Sequence, residues 1–297
     1  MILVTGGTGF IGPKVVHALR ARDLPVRALV RERRKGAQLE TWGCELAEGD
    51  MTRADSLRAA VEGCDTVVHL VAIRTGRPEE FEAIMIRGTR DLLEAARAAG
   101  VGRIVQMSAS GVGEATRDLT SYYRAKWEIE LTVEGSGIPY VIFRPTFAFG
   151  RDGGVLPTFM RQVRWLPVTP VVGNGEGRLQ PLWVEDLGAY FAEAARRDDV
   201  SGRVFELGGP DAVSWNELFE RIRRVLRVRR RPTFHAPVSL VRAQARVFEL
   251  MPSPLITRDD LRMLTALDHV ADVRPAVDTF GLPLMPLDEQ LRRAAQG

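Results

Sequence analysis

The residue order Thr5-Gly6-Gly7-Thr8-Gly9-Phe10-Ile11-Gly12 constrains this chain more than any other stretch. It follows the apolar run 2–4 directly and leads into residues 13–22, where Val15, Val16 and Leu19 fall on one helical face. A strand, a glycine turn and a helix in that order present backbone N–H groups at a helix N-terminus, where the partial positive charge favours phosphate. Gly6 permits the sharp turn. Gly9, without a Cβ, lets the backbone approach a ligand, and Gly12 lets the helix pack close to the strand. Gly6, Thr8, Gly9, Phe10, Ile11 and Gly12 are therefore the candidate pyrophosphate cradle.

Downstream, short apolar runs at 26–30, 44–48, 66–70, 103–107 and 140–143 alternate with helical patterns at 53–61, 80–99 and 121–134. That alternation predicts βαβ units with right-handed crossovers, hence an α/β chain with a doubly wound parallel sheet. After about residue 150 Gly and Pro become frequent and loops are expected to dominate. Residues 183–195 read as a helix returning to the core and 204–207 as one more strand. Residues 215–225 and 238–250 read as amphipathic helices. The expected division is a dinucleotide-binding core at 1–155, rejoined at about 180–210, and a smaller, mostly helical lobe at 156–297. A small-molecule substrate is expected in the cleft between them, since open α/β sheets bind ligands beyond their C-terminal strand ends.

Composition excludes several classes. Hydrophobic residues make up 45% and charged residues 27% of the 297, as in an ordinary globular protein, and the net charge is only +3. Arg229-Arg230-Arg231 reads as a solvated turn after a helix, so no nucleic-acid partner is expected. Cys44 and Cys64 form no CxxC pair and read as buried thiols of a reducing compartment; no metal-ligand spacing occurs. No apolar run approaches the ~18 residues of a membrane span, and the chain opens on a strand rather than on a signal peptide. A cytoplasmic location is the expectation.

Several short motifs, in order along roughly residues 1–210, carry a family resemblance. They are the Gly6/Gly9/Gly12 turn, Gly49-Asp50-Met51, His69-Leu70-Val71-Ala72, Gly88-Thr89 with Leu92-Leu93-Glu94-Ala95-Ala96, Arg144-Pro145, and Gln180 to Asp186. Together they resemble the extended and atypical branches of the short-chain dehydrogenase/reductase superfamily, with its Rossmann fold. The likeness is closest to the group related to the nucleotide-binding accessory subunit of respiratory complex I. The resemblance implies that Asp50 and Met51 meet the adenine, and that Leu70, Val71 and Ala72 line the ribose and nicotinamide side. It places Pro145 and Thr146 near the nicotinamide. A homodimer or association with a membrane complex also comes with it.

The second strand ends Val30-Arg31, where an acidic residue would take a ribose hydroxyl. Arginine stays charged and pairs bidentately with phosphate, so Arg31 points to NADP; Glu32 leaves NAD as the alternative. Tyr122 and Lys126 stand four apart on a helix and share a face. They match the superfamily's Y-x-x-x-K, which implies a tyrosine acid or base and a lysine that lowers its pKa and holds the nicotinamide ribose. The third partner is open between Ser108 and Ser110, because Ala109 interrupts the expected serine pair. Met85 stands where the family has an Asn.

His69 reads as a packing residue rather than an acid or base. Phe147, Phe149, Phe159 and Met160 are candidates to cover an apolar, quinone- or isoprenoid-like substrate. Trp165, Trp183 and Trp215 are default core residues. Arg178, Arg242 and Arg246 are available for a diphosphate if the substrate were a nucleotide sugar. Two functions follow: an NADP-dependent oxidoreductase or epimerase/dehydratase using the Tyr-Lys pair, or a non-catalytic NADPH-binding assembly or regulatory subunit.

Overall fold

The computed structural model describes residues 1–249 and 257–296. The chain forms two compact units. The first comprises Met1–Pro145, Val184–Leu207 and Asp272–Pro283. Its centre is a seven-stranded, wholly parallel sheet of β1 (Ile2–Thr5), β2 (Val26–Val30), β3 (Glu45–Glu48), β4 (Thr66–His69), β5 (Arg103–Met107), β6 (Tyr140–Pro145) and β7 (Arg203–Leu207). The order across the sheet is 7-6-5-4-1-2-3. The direction of winding reverses between β1 and β4, so their C-terminal ends flank the switch point where such sheets bind ligands.

The five inner strands are largely buried on both faces, as crossover helices require, while the edge strands β3 and β7 are partly exposed. The helix Gly12–Arg20 buries Val15, Val16 and Leu19 against the sheet. The returning helix Val184–Ala194 packs on it so closely that a Cβ at Gly188 would sit 2.7 Å from the Lys14 carbonyl oxygen. The sequence also leaves a late return unread. The helix Arg274–Phe280 belongs to this unit, and its Phe280 packs against Phe143 and Phe205 at 5.6 and 5.1 Å between ring centres.

One helix expected over 80–99 is not continuous. After a short turn at Pro78–Glu80 the chain is π-helical over Phe81–Arg87 and α-helical over Gly88–Ala98. The wide π turn keeps Phe81, Met85 and Ile86 all buried. At the junction a Cβ on Gly88 would lie 2.6 Å from the Met51 carbonyl oxygen.

The second unit comprises Thr146–Trp183, Gly208–Ala271 and Leu284–Gly297. Where loops are expected it carries the helix Leu156–Trp165, which buries Leu156, Met160 and Val163. It also contains the helices Trp215–Val225, Val238–Phe248, Arg258–Ala266 and Leu287–Ala295, and three two-stranded ribbons. Leu250, read from sequence as the last residue of a helix, lies outside the described residues. Among the described residues no helix is long and apolar enough to cross a membrane.

A buried polar chain ties β1, β4 and the Gly88–Ala98 helix together. Thr89 donates its only hydroxyl proton to the Met85 carbonyl at 2.5 Å, so it accepts from His69 Nε2 at 2.9 Å. The neutral ring is then protonated at Nε2, and Nδ1 accepts from the Thr5 hydroxyl at 2.6 Å. Burial, aided by the charge of Lys126, pushes the His69 pKa down to about 3 from 6.5. Between those two values the unfolded chain binds a proton that the folded state excludes. Stability should therefore fall as pH drops below 6.5, with this group contributing a slope of about 1.4 kcal/mol per pH unit. Urea unfolding from pH 7 to 4.5 checks this. His69→Gln should flatten the decline, and parallel declines in both proteins would contradict the assignment.

Candidate functional site

The glycine turn is shaped by backbone contact. Gly6 has φ +75°, and a Cβ there would lie 3.0 Å from the Val71 amide nitrogen. A Cβ on Gly12 would collide with the backbone of Gly7, 2.6 Å from its Cα. These two glycines are demanded by the protein itself. Gly9 is not: the nearest atom to a Cβ there would be the Gly6 carbonyl oxygen at an ordinary 3.4 Å. It is exposed, as is Thr8, and Phe10 and Ile11 are half-buried. Its bareness leaves space on the outer side of the turn. The helix that follows starts at Ile11 without a side-chain cap and without an acidic residue in its first turn. An uncapped helix N-terminus beside a cradle of this shape fits the pyrophosphate of a dinucleotide.

The neighbouring strand ends supply the flanks. Arg31 follows β2 directly and is exposed. Its neighbours are committed: Arg34 and Lys35 donate to the two Glu32 oxygens at 2.7 and 2.5 Å, and Arg33 pairs with Glu40. Among the described residues Arg31 has no ion-pair partner, so its guanidinium is available to a ligand. Glu32, the alternative ribose ligand, has both oxygens occupied. Asp50 uses one carboxylate oxygen to accept the Thr52 amide at 2.8 Å and the Thr52 hydroxyl at 2.7 Å. Partial burial works to raise its pKa, but the Thr52 bonds and the charges of Arg31 and Arg53 outweigh it, and the pKa is lowered. Met51 is core rather than rim. Leu70 is buried against Gly6, while Val71 is half-buried and Ala72 exposed.

On the other side of the switch point, the helix Ser121–Glu134 is capped by Thr120, whose hydroxyl accepts the Tyr123 amide. It carries Tyr122 and Lys126 one turn apart. Lys126 is fully buried, and its Nζ donates to the Met107 carbonyl at 2.6 Å and lies 5.8 Å from the centre of the Tyr122 ring. Burial pushes the Lys126 pKa down to about 8, against an upward pull from Glu130. The Tyr122 phenol is pushed up, by burial first and Tyr123 second. The expectation of a lowered tyrosine pKa is thus reversed, because desolvation of the ring outweighs the charge of Arg74.

Tyr123 is structural: its hydroxyl donates to the Ser110 carbonyl at 3.0 Å. The two serines differ. Ser108 is buried at 2% exposure and its hydroxyl oxygen has no partner among the described residues. Ser110 is also buried; its amide donates to the Pro145 carbonyl at 2.9 Å, and its hydroxyl helps hold the Glu206 carboxylate. Thr146 belongs to the second unit, where its hydroxyl donates to the Gln180 carbonyl.

Sequence reading missed a polar layer between sheet and helix. Arg144 Nε and a terminal nitrogen donate to the two oxygens of buried Glu130 at 3.0 and 2.6 Å. The same guanidinium lies 3.7 Å from Glu206, its neighbour in the β6–β7 register. Arg144 is therefore spent within the protein, not on a cofactor. Gln106 Nε2 donates to the Met107 carbonyl at 2.7 Å, beside Lys126, and its Oε1 is buried without a partner. The repeat Tyr122, Lys126, Glu130 was visible as one helical face and carried the signal.

The aromatic candidates divide differently. Phe149, Met160 and Trp183 are core of the second unit, and Trp165 is 75% exposed. Phe147, Phe159 and Trp215 form a half-buried cluster within that unit, each phenyl ring 5.7 Å from the indole. The Arg178 guanidinium donates to the Ala212 carbonyl at 3.4 Å, and its backbone amide donates to Asp268.

The chain is similar to several known proteins. It is 28% identical over 284 residues to an NAD(P)H azoreductase of Xenophilus azovorans, spanning 93% of this chain and 91% of that one. It is 26% identical to subunit 9 of the rat mitochondrial NADH dehydrogenase [ubiquinone] 1 alpha subcomplex, over 98% of this chain and 79% of that one. Its fold matches an NADPH-dependent quinone oxidoreductase from Escherichia coli, solved with NADPH, at a TM-score of 0.80 with 20% identity over 98% of each chain. A family described as NAD(P)H-binding matches residues 6–155, the span that holds the glycine turn, Arg31, Asp50 and the Tyr122–Lys126 helix. This chain belongs to that NAD(P)H-binding family.

Proposed function

We propose that this protein is an NADPH-dependent oxidoreductase in which Tyr122 is the general acid and Lys126 holds the nicotinamide ribose. The observation that carries the reading is Lys126: a lysine with no solvent exposure, one helical turn from a tyrosine, facing a strand end beside the switch point. Burying an ammonium costs several kcal/mol unless it is well bonded. A single carbonyl contact at 2.6 Å leaves donor capacity for a ligand.

The cradle at Gly6 to Gly12 would hold the pyrophosphate, Arg31 the ribose 2′-phosphate, and Asp50 the adenine end. NADPH, when bound, supplies a hydride. The protein supplies the accompanying proton: the Tyr122 phenol carries its proton at neutral pH and would donate it to the oxygen of a carbonyl- or quinone-type acceptor, with the Lys126 ammonium one turn away to stabilise the phenolate left behind. Ser108, with a buried and unpartnered hydroxyl, is the better of the two serines to orient that oxygen. Names of two similar proteins, an azoreductase and a quinone oxidoreductase, agree with a reductive role.

A second reading, an NADPH-holding subunit without chemistry, is supported by Met85. It is buried where the family's Asn would stand. Under that reading NADPH stays unreacted with every acceptor offered.

Tyr122→Phe should lower NADPH oxidation by a quinone acceptor by roughly 10²-fold or more. The NADPH Kd from fluorescence titration should stay within about twofold. An unchanged rate would sink the acid role, and no oxidation by the unmodified protein across quinones, azo compounds and carbonyls would favour the subunit reading. Arg31→Ala should weaken NADPH by about tenfold or more and leave NADH nearly unaffected. Equal losses for the two cofactors would contradict a phosphate contact.

A further inference from the structure

We propose that Glu130 is a positioning residue for Lys126: pinned from below by Arg144, its carboxylate keeps the buried lysine an ammonium, aimed at Met107 and the Tyr122 ring. The argument begins with placement. Tyr122, Lys126 and Glu130 succeed one another at intervals of four on the Ser121–Glu134 helix and share its inner face. Lys126 and Glu130 are both fully buried, so the field of the carboxylate at the ammonium is poorly screened. The two-point bond to Arg144 fixes the carboxylate's orientation, and Glu206 on the next strand fixes the guanidinium.

The chain's composition sharpens this. Of its 41 basic residues only Lys14, Lys35 and Lys126 are lysine. Arginine serves nearly everywhere a surface cation is wanted, yet the single buried one of the three is lysine. Lysine is the cation whose proton burial can loosen, and at this position burial lowers the pKa to about 8, so the group is still an ammonium at neutral pH.

The charged and titratable groups around Lys126 are few. Its own helix brings Tyr122, Tyr123 and Glu130. β4 brings His69, neutral at working pH; β5 brings the neutral Gln106, with Ser108 just after it and Arg103 at its other end paired with Asp198, and Arg74 acts on the neighbouring Tyr122. β6 and β7 bring Arg144 and Glu206. The Phe81–Arg87 segment, which packs on the same helix, has Glu82 and Arg87 facing Ser121 and Arg124 around one pocket. Glu130 is the carboxylate that acts on the lysine directly; Glu206 acts through Arg144.

The consequence is a pH window. Lys126 is an ammonium below its folded pKa and loses its charge as pH rises through it; burial lowers that pKa and Glu130 offsets part of the fall. The three-lysine composition allows a direct reading in the cofactor-free protein. Protein labelled with ¹³C-lysine gives three side-chain signals, two of which are assigned by Lys14→Arg and Lys35→Arg. The Lys126 signal should titrate with a midpoint near 8. In Glu130→Gln the midpoint should fall by about one pH unit, and in Glu130→Asp it should stay near the parent value. Arg144→Gln, which removes the neighbouring cation and keeps the carboxylate, should move it upward. A midpoint unmoved in Glu130→Gln overturns the proposal. If that variant does not fold, an unmoved or lowered midpoint in Arg144→Gln overturns it.

The inference rests on the cofactor role assigned to Lys126, and the two fail separately. NADPH affinity unchanged in Lys126→Met would remove that role and leave the titration result standing.

Discussion

The fold depends on one close approach: the backbone of Gly12 against the backbone of Gly7. A Cβ at Gly12 has nowhere to go, with Gly7 Cα only 2.6 Å away. That contact sets the angle at which the chain leaves β1 and enters the Gly12–Arg20 helix. It also leaves the helix end bare of side chains, so its N–H groups face outward. Gly6 closes the same turn against Leu70 and Val71, which locks the ends of β1 and β4 together. The Thr5–His69–Thr89 chain then extends the lock to the third element. Packing and ligand chemistry are thus parts of the same few residues. Gly6 and Gly12 serve the protein's backbone, a Cβ on Gly7 would press on the Leu39 side chain at 3.3 Å, and of the four Gly9 is bare without an internal reason.

On the far side of the switch point, the structure places polar groups where a sheet and helix ordinarily meet through apolar side chains. Glu130, Arg144 and Glu206 form a connected set beside Lys126, and Gln106 and Ser108 contribute buried oxygens that have no partner among the described residues. Buried polar groups of this kind cost stability when unsatisfied and are concentrated where a ligand or proton must be handled. Burial of Glu206 raises its pKa as well, so the layer holds two groups moved toward neutrality, Lys126 and Glu206. The account of an NADPH-dependent reductase uses the lysine end of this layer.

Much of the first unit was legible because its signals are local. Short β-branched runs between helical patterns announce a parallel sheet, and the glycine spacing announces its first turn. All seven strands were readable within a few residues of their ends. What escaped depends on contacts distant in sequence. The Arg274–Phe280 helix joins the first unit through Phe280, a contact across more than a hundred residues. The π turn at Phe81–Arg87 answers to the closeness of Gly88 and Met51, which no helical periodicity encodes. Frequent Gly and Pro after residue 150 suggested loops, yet Pro157 sits in the first turn of a helix, where it costs nothing. Among site residues, Tyr122, Lys126 and the glycines were readable from spacing. Arg144 was readable as part of the Arg144-Pro145 motif, but its bond to Glu130 was not, because the two meet only when β6 lies beneath the helix.

The central claim is that the turn from Gly6 to Gly12 receives the phosphates of NADPH while Arg31 receives the ribose phosphate. Hydrogen exchange with mass-spectrometric readout, with and without NADPH, tests it most directly. NADPH should slow exchange in peptides covering Thr8 to Gly12 and Val30 to Glu32, and NADH should slow the first set but scarcely the second. Exchange unchanged across Thr8 to Gly12 in saturating NADPH would contradict the claim.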